Sequence, residues 1–201
     1  MKKDETTHAL ETASARIVTA TRNWVEKAVI GLNLCPFAKA VHTKGQIRYV
    51  VSTADTQQAL LLELASEMTH LLATDPVEID TTLLIHPHVL GNFLEYNDFL
   101  AIADAAIDRL GFEGQIQIAS FHPHYQFAGS SPEDIENYTN RSPYPMLHLL
   151  REASVERAVA SFPDAAEIFD RNIETMRRLG PDGWRRLELA ASLLEKEKIK
   201  N

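Results

Sequence analysis

The chain has 201 residues and a formal net charge of -8, with 45% hydrophobic and 24% charged residues. This composition is ordinary for a soluble globular protein, and the length is sufficient for a substantial core. The negative charge argues against general binding to nucleic acid, which depends on lysine and arginine contacts to phosphates. The only cysteine, Cys35, excludes an intrachain disulfide and a thiolate-rich zinc site.

We expect one domain over residues 1–201, with a flexible leader up to residue 12, a long functional loop over 122–144 and a helical extension over 145–199. The N-terminal segment lacks the apolar core of an export signal, and no run is long enough to cross a bilayer. A cytoplasmic protein without a membrane or nucleic-acid partner is therefore expected. Its C-terminal helices are candidates for forming a homo-oligomer.

Helical and strand patterns alternate in the first 121 residues. Apolar residues recur at helical spacing in segments 12–31, 56–73 and 97–110. Segments rich in β-branched and aromatic residues lie at 46–52, 78–86 and 115–121. Because the strands lie about 35 residues apart with a helix between each pair, right-handed crossovers are favoured. We predict an α/β fold: a small, mainly parallel sheet with βαβαβ crossovers, helices packed on it, and a helical C-terminal third.

The pattern changes after the third predicted strand. Residues 122–144 show no clear period, and a loop of this length in a compact domain is usually functional. Pro145 occupies a good first-turn position for a helix, and a further helix is expected to end at Gly180. An additional antiparallel edge strand within residues 38–50 remains open.

Two His-Pro-His triplets mark the ends of the second and third predicted strands, 36 residues apart. The triplets are His86-Pro87-His88 and His122-Pro123-His124. In an open parallel sheet the ligand crevice lies at these strand ends, so four imidazoles meet there if the two strands are neighbours. Three nitrogen ligands and an open position suit zinc or iron, which predicts a metal centre. The alternative is that each triplet is a strand exit whose histidines only bond the backbone.

The segment NRSPYPMLHLLRE supplies further candidates. On a helix, His148, Arg151 and Glu152 share one face, which would allow Glu152 to orient His148 or to act beside it as an acid or base. Arg141 and Arg151 are suited to hold a carboxylate or phosphate. The alternative is that Arg151 and Glu152 are solvated charges and that His148 borders the core.

Cys35 lies in NLCPFA, between two apolar neighbours and just after a predicted helix end. Two interpretations stay open. In one the thiol is packed and inert; in the other it is a nucleophile, a redox thiol or a metal ligand, with His122 or His124 as its base.

Three segments carry a resemblance to a known family: NLCPFA at 33–38, SFHPHYQFAG at 120–129 and NRSPYPMLHLLRE at 140–152. Together they resemble the bacterial domain of unknown function 1415 family, over about residues 14–190. The family is uncharacterised, so the resemblance implies a set of signature residues but no reaction or cofactor. That set is Cys35, His122, His124, Tyr125, Gly129, Arg141, Tyr144, His148, Arg151 and Glu152. Tyr125 and Tyr144 thereby join the arginines as candidates for substrate binding.

The functional hypothesis is a metal-dependent enzyme that uses zinc or iron in hydrolytic or oxidative chemistry on a small anionic molecule. One alternative is a metal-free enzyme or redox protein that uses Cys35. The other is a non-catalytic metal-binding or assembly protein.

Overall fold

The computed structural model describes residues 2–161 and 167–189. The α-helices are α1 (Lys2–Trp24), α2 (Ala38–Thr43), α3 (Gln57–Ala73), α4 (Phe93–Leu110), α5 (Glu152–Ala160) and α6 (Ile168–Arg186). The strands are β1 (Ile47–Val51), β2 (Thr81–Ile85), β3 (Ile116–Phe121) and β4 (Met146–Arg151). A π-helical segment, Val25–Ile30, continues α1, and a 3-10 helix, Ile135–Thr139, lies in the long loop after β3. The predicted helix end at Gly180 is confirmed, because Gly180 has non-helical angles, φ 63° and ψ 174°, and divides α6 at a kink. The expected helical extension over 145–199 falls partly on residues 162–166 and 190–199, which lie outside the described residues.

One four-stranded sheet has the order β1-β2-β4-β3. The pair β1–β2 is parallel, whereas β4 pairs antiparallel with both β2 and β3. The predicted α/β fold with helices in the C-terminal part is confirmed, but the sheet is mixed and not mainly parallel. The antiparallel strand is central and lies late in the chain. Residues 38–50 contain α2 and most of β1, which pairs parallel with β2, so they form no antiparallel edge strand.

The predicted helix from Pro145 is wrong, because β4 occupies Met146–Arg151 and a helix begins only at Glu152. Met146, Leu147 and Leu149 are fully buried, since β4 is covered on both faces. A strand buried on both faces loses the alternation that identifies strands, and leucine and methionine favour helices in isolation. Pairing with two neighbouring strands overrides that local preference.

Each face of the sheet packs against its own helices. On one face, α3 and α4 form a core with Leu84, Leu147 and Leu149. On the other face, α1 and the π-helical segment cover Leu83, Ile85 and Met146. The rings of Trp24 and Phe121 pack edge-on there, with their centroids 5.1 Å apart. Among the described helices, none combines the length and apolar character needed to cross a membrane.

Helix α4 begins immediately after the turn that follows β2. The side chain of Asn92 caps it by accepting from the backbone N–H groups of Leu94 at 2.9 Å and Glu95 at 3.3 Å. Gly111, which directly follows the predicted helical segment 97–110, ends α4 in the left-handed conformation, with φ of 71°. The start at Phe93 is earlier than the predicted Asn97, which brings the first turn of α4 to the end of β2.

Candidate functional site

His86 follows β2 directly and is fully buried. Its Nδ1 lies 2.9 Å from the carbonyl oxygen of Val89. Because a carbonyl can only accept, Nδ1 carries the proton and Nε2 keeps a bare lone pair. This Nε2 is buried and makes no hydrogen bond to any residue that the structure describes. Burial lowers the pKa of His86 to about 4, so the imidazole is neutral at pH 7.

His122 follows β3 directly and is also fully buried, but both of its ring nitrogens are bonded. The backbone N–H of His124 donates to Nδ1 at 3.0 Å, and Nε2 donates to the carbonyl oxygen of Leu90 at 3.2 Å. A neutral imidazole has one donor and one acceptor, so neither nitrogen offers a free lone pair. Burial, with smaller effects from the nearby His124 and His86, lowers the pKa of His122 to about 4.

Tyr96 in α4 connects the two buried imidazoles, and sequence reasoning missed it. Its ring centroid lies 5.8 Å from that of His86 and 5.1 Å from that of His122. Its hydroxyl donates to the carbonyl of Met146 at 2.8 Å and accepts from the backbone N–H of Phe121 at 3.0 Å. The hydroxyl therefore bridges β4 and β3 where the two strands separate, and burial raises its pKa well above the usual value.

The two triplets are not on neighbouring strands, because β4 lies between β2 and β3. Two strand spacings separate β2 from β3, or about 10 Å. His88 and His124 are exposed, whereas His86 and His122 are buried. Within residues 2–161 and 167–189, no group of three or more His, Cys, Asp or Glu side chains is arranged to hold a metal ion. The expected convergence of four imidazoles is therefore corrected to two buried rings against one tyrosine, with an exposed histidine two residues beyond each.

His148 lies in the middle of β4, on the face of the sheet that α1 covers. His86 and His122 follow strands whose other face packs against α3 and α4. His148 pairs with Leu83 and Ala119, and Leu83 belongs to the core beneath α1. The hydroxyl of Thr81 donates to the carbonyl of Leu149 at 2.6 Å and so accepts from Nε2 of His148 at 2.7 Å. Desolvation lowers the pKa of His148 to about 4.

Glu152 is separated from His148 by the end of β4, so the two do not share a helix face as the sequence predicted. Glu152 begins α5 and lies on the edge of a surface cavity of about 260 Å³. Asp104, Asp108 and Glu113 line the same cavity. The carboxylate of Glu152 therefore stands among other acidic groups, away from both buried imidazoles.

Arg151, at the end of β4, is buried and binds the backbone where α3 ends. Its guanidinium donates to the carbonyl of Leu71, to that of Thr74 at 2.6 Å and to that of Ile79 at 3.1 Å. The Leu71 carbonyl lies in the last turn of α3, and a cation stabilises the carbonyl groups at a helix C-terminus. In this position Arg151 fastens α3 to the sheet, while its predicted role in substrate binding stays a prediction.

Arg141 orders the long loop after β3. Its Nε donates to the carbonyl of Tyr125 at 3.2 Å, Nη2 donates to that of Pro132 at 2.6 Å, and the guanidinium lies 4.2 Å from the ring centroid of Tyr138. The carbonyl of Arg141 accepts from the indole N–H of Trp24 at 2.9 Å. Arg141 stays partly exposed beside the turn that carries the second triplet.

The two candidate tyrosines occupy different surroundings. Tyr125 is partly buried, with ring centroids 5.3 Å from Phe93 and 5.0 Å from Phe127. Tyr144 packs against the core on the α1 side, and burial raises its pKa. Only Tyr125 therefore reaches the aromatic group around His122.

Asn137, which the sequence analysis also missed, is fully buried and holds the loop by accepting from the backbone N–H of Phe127 at 2.9 Å.

Cys35 is partly buried, and this burial raises the pKa of its thiol despite opposing hydrogen bonds from the backbone of Phe37 and Ala38. We expect iodoacetamide at pH 7.5 to alkylate Cys35 at least about tenfold more slowly than a free thiol, because the thiolate is the reactive form. The matched control is the same protein unfolded in urea, which removes the burial. Alkylation as fast in the folded as in the unfolded chain would contradict this and favour a reactive thiol.

Fold and side chains together define a mixed α/β protein with two buried histidines and a buried tyrosine at the C-terminal ends of β2 and β3. A family profile described as "Protein of unknown function (DUF1415)" matches residues 16–186. The chain belongs to this family, as the resemblance of its three motifs indicates. Neither the curated proteins nor the solved structures contain a match to the chain.

Proposed function

We propose that the protein is a metal-dependent enzyme whose divalent transition metal, zinc or iron, is held at the sheet edge with His86 as the first ligand. The observation that carries the proposal is the buried Nε2 lone pair of His86, which has no partner among the described residues. A buried polar atom without a partner is costly and calls for an explanation. A donor bond from Nδ1 to a backbone carbonyl is also the arrangement that typically orients a metal-binding imidazole.

The lowered pKa of His86 favours a metal ligand over a general base. A general base works best with a pKa near the operating pH, and a value of about 4 makes His86 a weak one at neutral pH. A metal ligand must be neutral, and a low pKa removes competition from protons. The raised pKa of Cys35 likewise disfavours the alternative in which a cysteine thiolate attacks the substrate.

His88 and His124 complete the proposed ligand set. Both are exposed, and each lies two residues beyond a buried histidine on a turn that leaves the same edge of the sheet. Exposed side chains change rotamer readily, so they are suited to close on an ion beside His86. His122 is left out of the set because both of its nitrogens are bonded.

The proposed metal would act as a Lewis acid and activate water, which suits hydrolysis or oxygen chemistry. Arg141 is the candidate to bind an anionic substrate, since it is partly exposed and its described hydrogen bonds use only Nε and Nη2. Tyr125, whose carbonyl accepts from Arg141, would form the wall of the same site.

The test is a zinc titration of tag-free, EDTA-treated protein against a chromophoric chelator. The wild type is expected to bind one equivalent, and His86→Asn is expected to lower the affinity by about 100-fold or more, beyond the typical cost of an outer-shell partner. Asparagine retains a donor for the Val89 carbonyl but lacks an equivalent of Nε2, so the turn is preserved.

The matched control is His70→Ala, because His70 is exposed on α3, away from the site. This variant should bind zinc as the wild type does, whereas His88→Ala and His124→Ala should each weaken binding. A wild-type protein that binds no zinc or iron, or a His86→Asn variant with unchanged affinity, would refute the proposal.

A further inference from the structure

We infer that His122 is a positioning residue that holds the two His-Pro-His turns in a fixed relation, so that His124 is presented beside His86. The inference rests on the proposed function for its metal-binding consequence. Its structural part stands on the hydrogen bonds of His122 alone. No direct contact between His122 and a metal or substrate is required.

The ring of His122 bonds each turn once. Through Nδ1 it accepts from the backbone N–H of His124, which fixes the second turn three residues beyond the end of β3. Through Nε2 it donates to the carbonyl of Leu90, which lies in the turn after β2. A single buried side chain thereby links two turns whose strands are separated by β4.

The Leu90 end of this link holds a strained backbone conformation. Leu90 is buried and has φ of 58°, in the left-handed region that a leucine rarely adopts. Such a residue persists only when its surroundings enforce the conformation. The hydrogen bond from His122 to the Leu90 carbonyl supplies one such constraint, and the bond from Nδ1 of His86 to the adjacent Val89 carbonyl supplies another.

The orientation of the His122 ring is itself fixed by packing. Its centroid lies 5.4 Å from that of Phe93 and 5.1 Å from that of Tyr96, and both residues belong to the first turn of α4. The ring is therefore held by α4 while its nitrogens hold the two turns. This arrangement resembles the outer-shell partners that set the position of a metal ligand without touching the metal.

Three variants separate the two bonds. His122→Asn places an amide oxygen near the position of Nδ1 and keeps an acceptor for His124, whereas His122→Gln reaches towards Leu90 and keeps the donor. His122→Ala removes both hydrogen bonds.

The first readout is hydrogen exchange of the His124 amide in metal-free protein, which is independent of whether zinc binds. We expect exchange to accelerate at least about tenfold in His122→Ala, since a broken local bond opens the amide, and to stay slow in His122→Asn.

The second readout is zinc affinity, compared with the global free energy of unfolding. His122→Ala should lose about 10- to 100-fold in affinity, as outer-shell partners do, and His122→Asn should recover part of that loss. Unchanged exchange of the His124 amide in His122→Ala would overturn the inference, as would faster exchange combined with unchanged zinc affinity. If the wild type binds no metal, the proposed function fails, and the amide exchange still decides whether His122 holds the turns.

Discussion

Replacing Arg151 by methionine is expected to destabilise the protein by about 3–5 kcal/mol, because charged hydrogen bonds are lost and buried acceptors remain unsatisfied. The guanidinium donates to the carbonyls of Leu71, Thr74 and Ile79, and methionine retains the stem but none of the donors. Urea denaturation at pH 7.5, followed by circular dichroism, measures the loss. The change should appear in the unfolding midpoint with little change in slope.

The matched control is Arg157→Met on α5. Arg157 is exposed and donates to the hydroxyl of Ser154 at 2.8 Å, so its loss should cost within about 0.5 kcal/mol. A loss below about 1 kcal/mol in Arg151→Met would contradict the account of Arg151 as the group that satisfies the end of α3. Such a small loss would favour the substrate-binding role that the sequence predicts for Arg151.

The stability of the metal-free protein should decrease steeply as the pH falls from 6.5 towards 4. Burial holds the pKa values of His86, His122 and His148 at about 4, below the ordinary value of 6.5. The unfolded chain therefore takes up protons first, which favours unfolding at acid pH and leaves the full stability above pH 6.5. Each fully buried histidine contributes at most about 3 kcal/mol to this loss, and the partly exposed His148 less.

Urea denaturation in EDTA between pH 6.5 and 5 measures this dependence before most carboxylates titrate. The free energy of unfolding should fall by up to about 1.4 kcal/mol per pH unit for each buried histidine that titrates, and His122→Asn should remove one such contribution. His70→Ala is the control with an exposed histidine. A free energy that stays constant across the range would show that these imidazoles are not held neutral by the fold.

The first part of the fold is predictable from sequence because its signals are local. Three strands at 46–52, 78–86 and 115–121 and the helices between them follow from the spacing of apolar residues, and all three strands are confirmed. The predicted helical segment 97–110 also ends where α4 does, at Leu110. The failure concerns β4, whose apolar sequence favours a helix. Its strand partners are distant in the chain, since 63 residues separate Leu84 from Leu147 and 31 separate Ile118 from Leu149. Long-range pairing of that kind leaves no local signal.

The same failure explains what was missed at the site. Treating Met146–Arg151 as a helix placed His148 beside Glu152 and left β2 and β3 as neighbours, whereas the strand puts His148 on the other face. The burial of His86 and His122 followed from no local pattern. Tyr96 had a signal that was available: it lies one helical turn after Asn92, a good helix cap just beyond the first triplet. A helix start placed there would have brought Tyr96 to the same edge.

The proposed function depends on the binding of a metal ion by Nε2 of His86. Anomalous difference maps at the zinc edge, from crystals of the tag-free protein grown with one equivalent of zinc, would show whether this atom is a ligand. A peak is expected about 2.0–2.1 Å from Nε2 of His86, the usual zinc–nitrogen distance, with His88 or His124 completing the coordination. Density for zinc only at exposed side chains such as His70, or no zinc peak at all, would contradict the proposed function.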